Sequence, residues 1–346
     1  MRALTISSHG GLEQLELRDD LPIPSLRHPT DVRVRIRAAA LNHLDLFVVE
    51  GLPGVTITPP WILGGDGTGT IDALGDAVTG LAVGDAVIIN PGLSCRQCSY
   101  CRENDHPLCL KYGLLGEHFP GTLAEYIVVP AANLRVISPD TPVEKAAAFS
   151  LAMITAWRMI VSKAQVRPGE DVLIWGIGGG VALAALQIVK LRGARAWVTS
   201  SSDEKLDRAR ALGADVTLNH RTTDVAKEIR ARTGKKGVDV VIDNVGAATW
   251  KQSLAALAKR GRLVTCGATS GPIVEMDVRR MFWYQWHLMG STMGSDAEYD
   301  EVVHEFKAGA LDPVVDSVYP LARAREAFER MAGAEQFGKI VIRIDD

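Results

Sequence analysis

The sequence has no uninterrupted apolar run of the roughly 18 residues that a membrane span requires. It has no surplus of either charge: 38 lysines and arginines face 41 aspartates and glutamates. A polybasic membrane surface or a nucleic-acid footprint does not fit that balance. Aromatics are 6% of residues and do not interleave with a basic patch, which disfavours an RNA-stacking surface. Cysteine is scarce, and four of the five fall in one short stretch. Met1-Arg2-Ala3-Leu4-Thr5-Ile6 leads into a strand pattern and does not read as a signal peptide, so the expected compartment is the cytoplasm and disulfides are not expected. No internal repeat or low-complexity segment is evident.

What is present is ample apolar material. With 346 residues, 47% of them hydrophobic, the chain suggests about two domains. Its organising stretch runs from Glu170 to Arg192. Asp171–Trp175 is an apolar run long enough for one buried parallel strand. Gly176, Gly178, Gly179 and Gly180 follow, and then a helical pattern opens at Val181 and continues to Arg192. Strand, glycine turn and helix form the setting in which backbone N–H groups at a helix start hold a pyrophosphate. The spacing G-x-G-x-G-x-A, with Ala182 where a last glycine is usual, also fits an ordinary glycine-rich turn.

Residues 1 to about 90 read as β-rich. Val32–Ala38 alternates apolar and charged, Ile71–Gly75 and Gly84–Ile89 are strand and turn pieces, and Leu123–Val129 is a further strand. Glycine and proline throughout suit a small barrel with many turns. Pro139–Ala156 turns helical and marks a domain junction. From about residue 152 to 290, strands Val172–Trp175, Arg195–Thr199, Asp215–Leu218, Val238–Ile242 and Arg262–Cys266 alternate with helical runs, which predicts a doubly wound parallel sheet. Beyond Gly290 the pattern predicts helices near Asp296–Lys307 and Leu321–Met331 and a last strand, Lys339–Ile344.

Cys95, Cys98, Cys101 and Cys109 give C-x2-C-x2-C-x7-C. Four thiolates on one loop can surround a tetrahedral zinc ion, and four soft anionic ligands leave no open position, so such a site is structural. An iron–sulfur cluster or chance clustering are the alternatives. Cys266, at a strand end, reads as a core residue.

The glycine turn, the cysteine loop and the order of the two halves together resemble the medium-chain dehydrogenase/reductase superfamily. Gly64-Gly65-Asp66-Gly67-Thr68-Gly69, Gly121-Thr122-Leu123-Ala124-Glu125-Tyr126, Ile154-Thr155-Ala156-Trp157 and Phe337-Gly338-Lys339 fall in that family's order. The resemblance covers essentially the whole chain. It implies an α/β architecture: a GroES-like β-barrel catalytic domain (residues 1–151 and 291–346, with a structural-zinc lobe at about 92–112) interrupted by a doubly wound Rossmann coenzyme domain (152–290). It also implies an active site in the cleft between the two domains, hydride transfer with NAD(P)H, and a homodimer or homotetramer paired through Rossmann edges. Phe282–His287 reads as packing or subunit contact.

Zinc alcohol dehydrogenases of this superfamily hold a second, catalytic zinc. The three ligand positions fall here on Asn42, on Gly65 and near Leu151, and the proton-relaying hydroxyl falls on Leu44. None is a usual zinc ligand or relay. An atypical metal held by His43, Asp45 or Asp66 is the remaining metal alternative. The chain resembles the quinone oxidoreductase and enoyl-reductase branch, with the zinc lobe retained. Three residues are the catalytic candidates. Asn42 can donate an amide N–H to a substrate oxygen, Asp45 can orient it, and Thr155, starting the cleft helix, can touch the nicotinamide. For Asn42 and Asp45 the plain alternative is a turn or cap role.

For the cofactor, the strand end Thr199-Ser200-Ser201-Ser202 offers hydroxyls where NAD sites place an acid. Ser200, Ser201, Lys205 and His220 suit a 2′-phosphate, with Asp203 the counter-indication and helix capping its plain alternative role, so NADPH is favoured over NADH. His43, Asn244, Val245, Gly267 and Lys339 complete the cofactor candidates, with Lys339 able to reach the pyrophosphate. The expected function is NADPH-dependent reduction of a quinone or an α,β-unsaturated carbonyl without a catalytic zinc. The alternatives are an alcohol dehydrogenase or carbonyl reductase, and a non-catalytic NADPH-binding protein.

Overall fold

The computed structural model describes residues 1–345, which form two compact units. The first comprises Met1–Leu151, Ser295–Lys307 and the chain from Asp312 on; the second comprises Ala152–Gly294 with Ala308–Leu311.

The first unit is built on a seven-stranded sheet. Its backbone order is Leu134–Val136, Ala86–Ile89, Asp66–Leu74, Asp31–Ala40, Lys339–Arg343 and Val315–Pro320, and Tyr126–Pro130 also pairs with Asp31–Ala40. The central strand Asp31–Ala40 shows why the alternation reads as it does: Val32, Val34 and Ile36 are buried, while Arg35 and Arg37 face out. Arg33 closes a 2.5 Å ion pair with Asp72 on the neighbouring strand. A smaller three-stranded sheet, Glu16–Arg18, Ala3–Ile6 and Trp61–Ile62, lies beside it in the same unit. The strand expected at Leu123–Val129 forms only from Tyr126. Leu123 instead accepts from Leu4 N–H and donates to Leu63 carbonyl, and Ala124 bridges to Ala3, so that end of the segment belongs to the smaller sheet's surroundings.

The second unit carries a six-stranded, all-parallel sheet in the order Val216–Asn219, Arg195–Ser200, Asp171–Ile174, Val238–Asp243, Leu257–Thr265 and His287–Gly290. Asp171–Ile174 is buried at every position, as a central strand covered on both faces must be. Two features differ from the sequence reading. The fifth strand begins at Leu257, five residues before the expected start. A register shift and a left-handed Arg260 (φ 58°) hide its first half from a simple periodicity. The sixth strand, His287–Gly290, was not expected; it is four residues long, directly follows an aromatic helix, and is buried on neither end.

Candidate active site

Sheet register assembles the centre of the site. Val341 stands opposite Ala40 in an antiparallel pair, so Lys339, two residues back, faces Asn42, two residues on; the Leu41 N–H to Ile340 carbonyl bond (2.9 Å) continues that ladder. On the other side Ala40 stands opposite Asp66. Three distant segments thus deliver an ammonium, an amide and a carboxylate to one point. Lys339 Nζ donates to Asn42 Oδ1 and to Asp66 Oδ2 (2.9 Å), and Asn42 Nδ2 donates to the same Asp66 Oδ2 (3.0 Å). The other Asp66 oxygen accepts the Leu151 backbone N–H at 2.7 Å. Asp66 is 0% and Lys339 5% exposed, whereas Asn42 is only half-buried.

Asp45 lies in the first turn of the helix His43–Glu50, for which Asn42 is the N-cap. Its carboxylate accepts the backbone N–H groups of Asn42 (2.7 Å) and Gly64 (3.1 Å). This is the capping role, and it orients the Asn42 backbone while leaving the amide to Lys339 and Asp66. Burial pushes the Asp45 carboxyl up to about 7; the two N–H groups and the Lys339 charge pull it down, and the Asp66 charge adds to the rise. The glycines beside it are required by close approach. A Cβ on Gly121 would stand 2.2 Å from Leu63 carbonyl, and one on Gly64 2.7 Å from Thr122 Oγ1. The two glycine motifs are therefore the two faces of one tight backbone contact.

The three positions matched to catalytic-zinc ligands do converge. A Cβ on Gly65 would lie 3.2 Å from Leu151 Cδ1 and 4.0 Å from Asn42 Nδ2. At that point this chain offers an amide, a backbone without a side chain and an aliphatic group. Of the two carboxylates nearby, Asp66 is already paired with Lys339 and Asp45 accepts the Asn42 and Gly64 N–H groups. Asp66 as the partner of Asn42 and Lys339 is what sequence reasoning missed; its only signal was a lone acid inside a glycine motif. His43 is exposed next to Asn42. Thr155, in the second unit, lies inside the helix Ser150–Trp157 and does not start it; it is 5% exposed, with Oγ1 3.5 Å from Met293 Sδ.

The remaining candidates lie at carboxyl ends of the parallel strands. The helix Gly180–Leu191 starts at Gly179 with no side-chain cap, so its first backbone N–H groups have no partner within the helix. A Cβ on Gly179 would meet nothing closer than Gly176 carbonyl at 3.8 Å, and Gly176 and Gly178 hold φ values of 68° and 125°. Open backbone at the start of a 12-residue helix, opening at Gly180 and Val181, suits a pyrophosphate. At the next strand end Ser200 is buried and its Oγ accepts Ser202 N–H, while its carbonyl accepts His220 N–H (3.0 Å). Ser201 lies between them, half-buried. Ser202, not Asp203, caps the next helix by accepting Lys205 N–H. Asp203 accepts instead from Asn219 Nδ2 (2.8 Å). Surrounding protein and the Arg221 charge hold His220 below its ordinary value. Asn244, Val245 and Gly267 follow the fourth and fifth strands, with Asp243 accepting from Val245 and Gly246 N–H. Half-buried Cys266 follows the fifth strand; desolvation and the Asp243 charge push its thiol up to about 12.

The four clustered cysteines meet. Their sulfurs lie within 4.8 Å of one another, with Cys98–Cys101 at 3.5 Å and Cys95–Cys101 at 4.0 Å. Thiolates 2.3 Å from a tetrahedral zinc stand about 3.8 Å apart, so the cage has the right size. Backbone N–H groups of Cys95 and Lys111 point at Cys109 Sγ, both at 3.3 Å, as donors to a thiolate would. The loop is tied to the helix Asp296–Lys307: Arg96 pairs with Asp296, Asn104 bonds Ser295, and His106 Nδ1 accepts Asp296 N–H.

Residues 28–139 match the family described as alcohol dehydrogenase GroES-like domain, and residues 180–308 the family described as zinc-binding dehydrogenase. The chain is 32% identical over 342 residues to a zinc-type alcohol dehydrogenase-like protein of Schizosaccharomyces pombe, spanning 97% of this chain and 96% of that protein. It is 26% identical to the quinone oxidoreductase of Homo sapiens, spanning 99% and 97%. A solved NAD-dependent alcohol dehydrogenase superimposes with a TM-score of 0.95 at 44% identity, over 99% of this chain and 100% of the other.

Proposed function

The chain belongs to the medium-chain dehydrogenase/reductase superfamily and is an oxidoreductase; from that premise we propose that it reduces a quinone or an α,β-unsaturated carbonyl with NADPH, without a catalytic zinc. The observation that carries this reading is the Asn42–Lys339–Asp66 network, which fills the meeting point of the three ligand positions with hydrogen bonds rather than metal donors. The dinucleotide, when bound, supplies the hydride. This chain's own part is to hold the substrate oxygen. As hydride reaches the β carbon, electron density moves to the carbonyl oxygen, and a donor preorganised there lowers the barrier. Asn42 is the half-buried member of the network and is that donor; water supplies the proton to the α carbon.

The glycine turn Gly176–Gly180 and the helix it opens would hold the pyrophosphate. Ser201, Lys205 and His220 favour a 2′-phosphate, against the single charge of Asp203, whose carboxylate accepts Asn219 Nδ2. The cysteine cage would hold one structural zinc. Phe282 (65% exposed) and Trp283 (74%), beside the edge strand His287–Gly290, support a homodimer or homotetramer, whereas Trp286 turns inward and donates to Ala258 carbonyl (2.9 Å).

A second reading, an alcohol dehydrogenase or carbonyl reductase using NAD, is favoured by the 44% identity to a protein described as an NAD-dependent alcohol dehydrogenase. An NADPH-oxidation screen across quinones, enones, aldehydes and ketones, repeated with NADH and with metal content measured on the same sample, separates the two. Turnover of enones or quinones with about one zinc per chain is the expected result. Turnover confined to aldehydes or ketones, or about two zinc ions per chain, would favour the second.

A further inference from the structure

We infer that Lys339 is a positioning residue for the Asn42 amide, fixing which edge presents its N–H and strengthening that N–H as a donor to the substrate oxygen. The inference rests on the reading of Asn42 as that donor. A primary amide has one accepting edge and one donating edge. Here the accepting edge faces the Lys339 ammonium and the donating edge faces the Asp66 carboxylate. The flipped amide would set NH2 against a cation and C=O against an anion, so only one orientation survives. A cation on Oδ1 also draws electron density from the amide and makes its N–H groups better donors, an effect enlarged by burial.

The same geometry says which member meets a ligand. Asp66 is 0% and Lys339 5% exposed, so a small molecule reaches the network at half-buried Asn42. One Nδ2 hydrogen goes to Asp66 at 3.0 Å. The other has Ala40 carbonyl at 3.4 Å, a length at which a bond is weak and easily exchanged for a substrate oxygen. Lys339 thus acts through Asn42, with its ammonium bonded to Asn42 Oδ1 and Asp66 Oδ2.

The test is a mutant cycle on the full-length enzyme. Lys339→Met alone leaves Asp66 buried and unpaired, so the cycle uses Lys339→Met/Asp66→Asn, with and without Asn42→Ala, and Lys339→Arg as the charge-keeping variant. Three readouts accompany thermal melting: kcat and KM for an enone, Kd for NADPH by fluorescence, and the absorbance of added 4-nitrophenol, an oxyanion mimic whose colour reports its ionisation. The expected result is a fall in kcat of roughly tenfold or more in Lys339→Met/Asp66→Asn with NADPH Kd held within about twofold. Adding Asn42→Ala should then cost less than about twofold more, because both changes remove one donor. The wild type should ionise bound 4-nitrophenol below its free pKa, the neutralised variants should not, and Lys339→Arg should recover part of both signals. Multiplicative losses, or a loss confined to NADPH Kd, would overturn the inference. If Asn42→Ala by itself changes neither kcat nor 4-nitrophenol binding, the donor reading fails first and takes this inference with it.

Discussion

Asn42 and Lys339 are 297 residues apart in the chain and directly hydrogen-bonded, because antiparallel pairing of Lys339–Arg343 with Asp31–Ala40 sets them opposite one another. A contact written into strand register is held by the whole ladder, so the amide is presented on a rigid element. Asn42→Ala is therefore expected to lower kcat/KM for an enone at least roughly tenfold, the low end for loss of one oxyanion donor. The fold should survive, because Asp45 still caps the helix through backbone N–H groups. Steady-state kinetics with NADPH and a cyclic enone check it; unchanged kinetics would remove Asn42 from the mechanism.

Asp66 is the network's only anion and is wholly buried, with Lys339 nearly so. Replacing it by asparagine keeps the shape and leaves an ammonium uncompensated in the interior. The expected destabilisation is about 3–5 kcal/mol, the usual size for breaking a buried pair from one side. Urea unfolding followed by tryptophan fluorescence measures this. A second change, Lys339→Met, should return much of the loss, since a pair removed together leaves no orphan charge.

Asp45 gives a pH signature. Burial lifts its carboxyl from 3.8 to about 7, against the pull of the Asn42 and Gly64 N–H groups and Lys339, and with a push from Asp66. The folded protein then keeps a proton that the unfolded chain has lost. The stability from that proton is fully present below about pH 4 and is lost as pH rises through about 7. Wild-type stability should fall across that window by up to about 1.4 kcal/mol per pH unit on this account. Asp45→Asn should flatten the slope, so the variant gains on the wild type as pH rises. Parallel unfolding curves for the two proteins across the window would refute it.

The cysteine cage makes a separate prediction, because its loop is anchored by Arg96, Asn104 and His106 to the start of the helix Asp296–Lys307. Chelation under denaturing-free conditions should release about one zinc per chain and lower Tm by several degrees. Cys101→Ser should reproduce the loss. Cys101 is one of the two buried members of the cage, its sulfur 3.5 and 4.0 Å from two others.

Much of this was legible beforehand for definite reasons. The strands at Asp171 and Val238 carry the apolar runs Val172–Ile174 and Val240–Ile242, and the cysteine spacing brings its sulfurs together locally. The strand His287–Gly290 was not legible, since four half-exposed residues after an aromatic helix carry no period. Nor was the Asn42–Lys339–Asp66 network. Local pattern gives strands but not which strand lies beside which, and this contact depends on two registers at once. Likewise Asp203 looked like a cap because acids often are, yet Ser202, one residue earlier, holds the Lys205 N–H.

That last correction bears on cofactor choice. With Ser202 as the cap, the helix Asp203–Ala211 begins at a serine-lined strand end, and the Asp203 carboxylate accepts Asn219 Nδ2. Lys205, in the first turn of that helix, is the proposed cation for a 2′-phosphate. Lys205→Ala should raise KM for NADPH roughly tenfold, the scale of one charge-assisted bond, and leave KM for NADH nearly unchanged. His220 sits below its ordinary value and is mostly neutral near pH 7, so it contributes a hydrogen bond there and a charge only as pH falls. The NADPH preference should accordingly sharpen in mildly acidic buffer, and His220→Asn should abolish that sharpening while leaving the neutral-pH preference largely in place. Equal KM values for the two dinucleotides in the wild type would rule out the 2′-phosphate site itself, since no residue in it distinguishes them except through that phosphate.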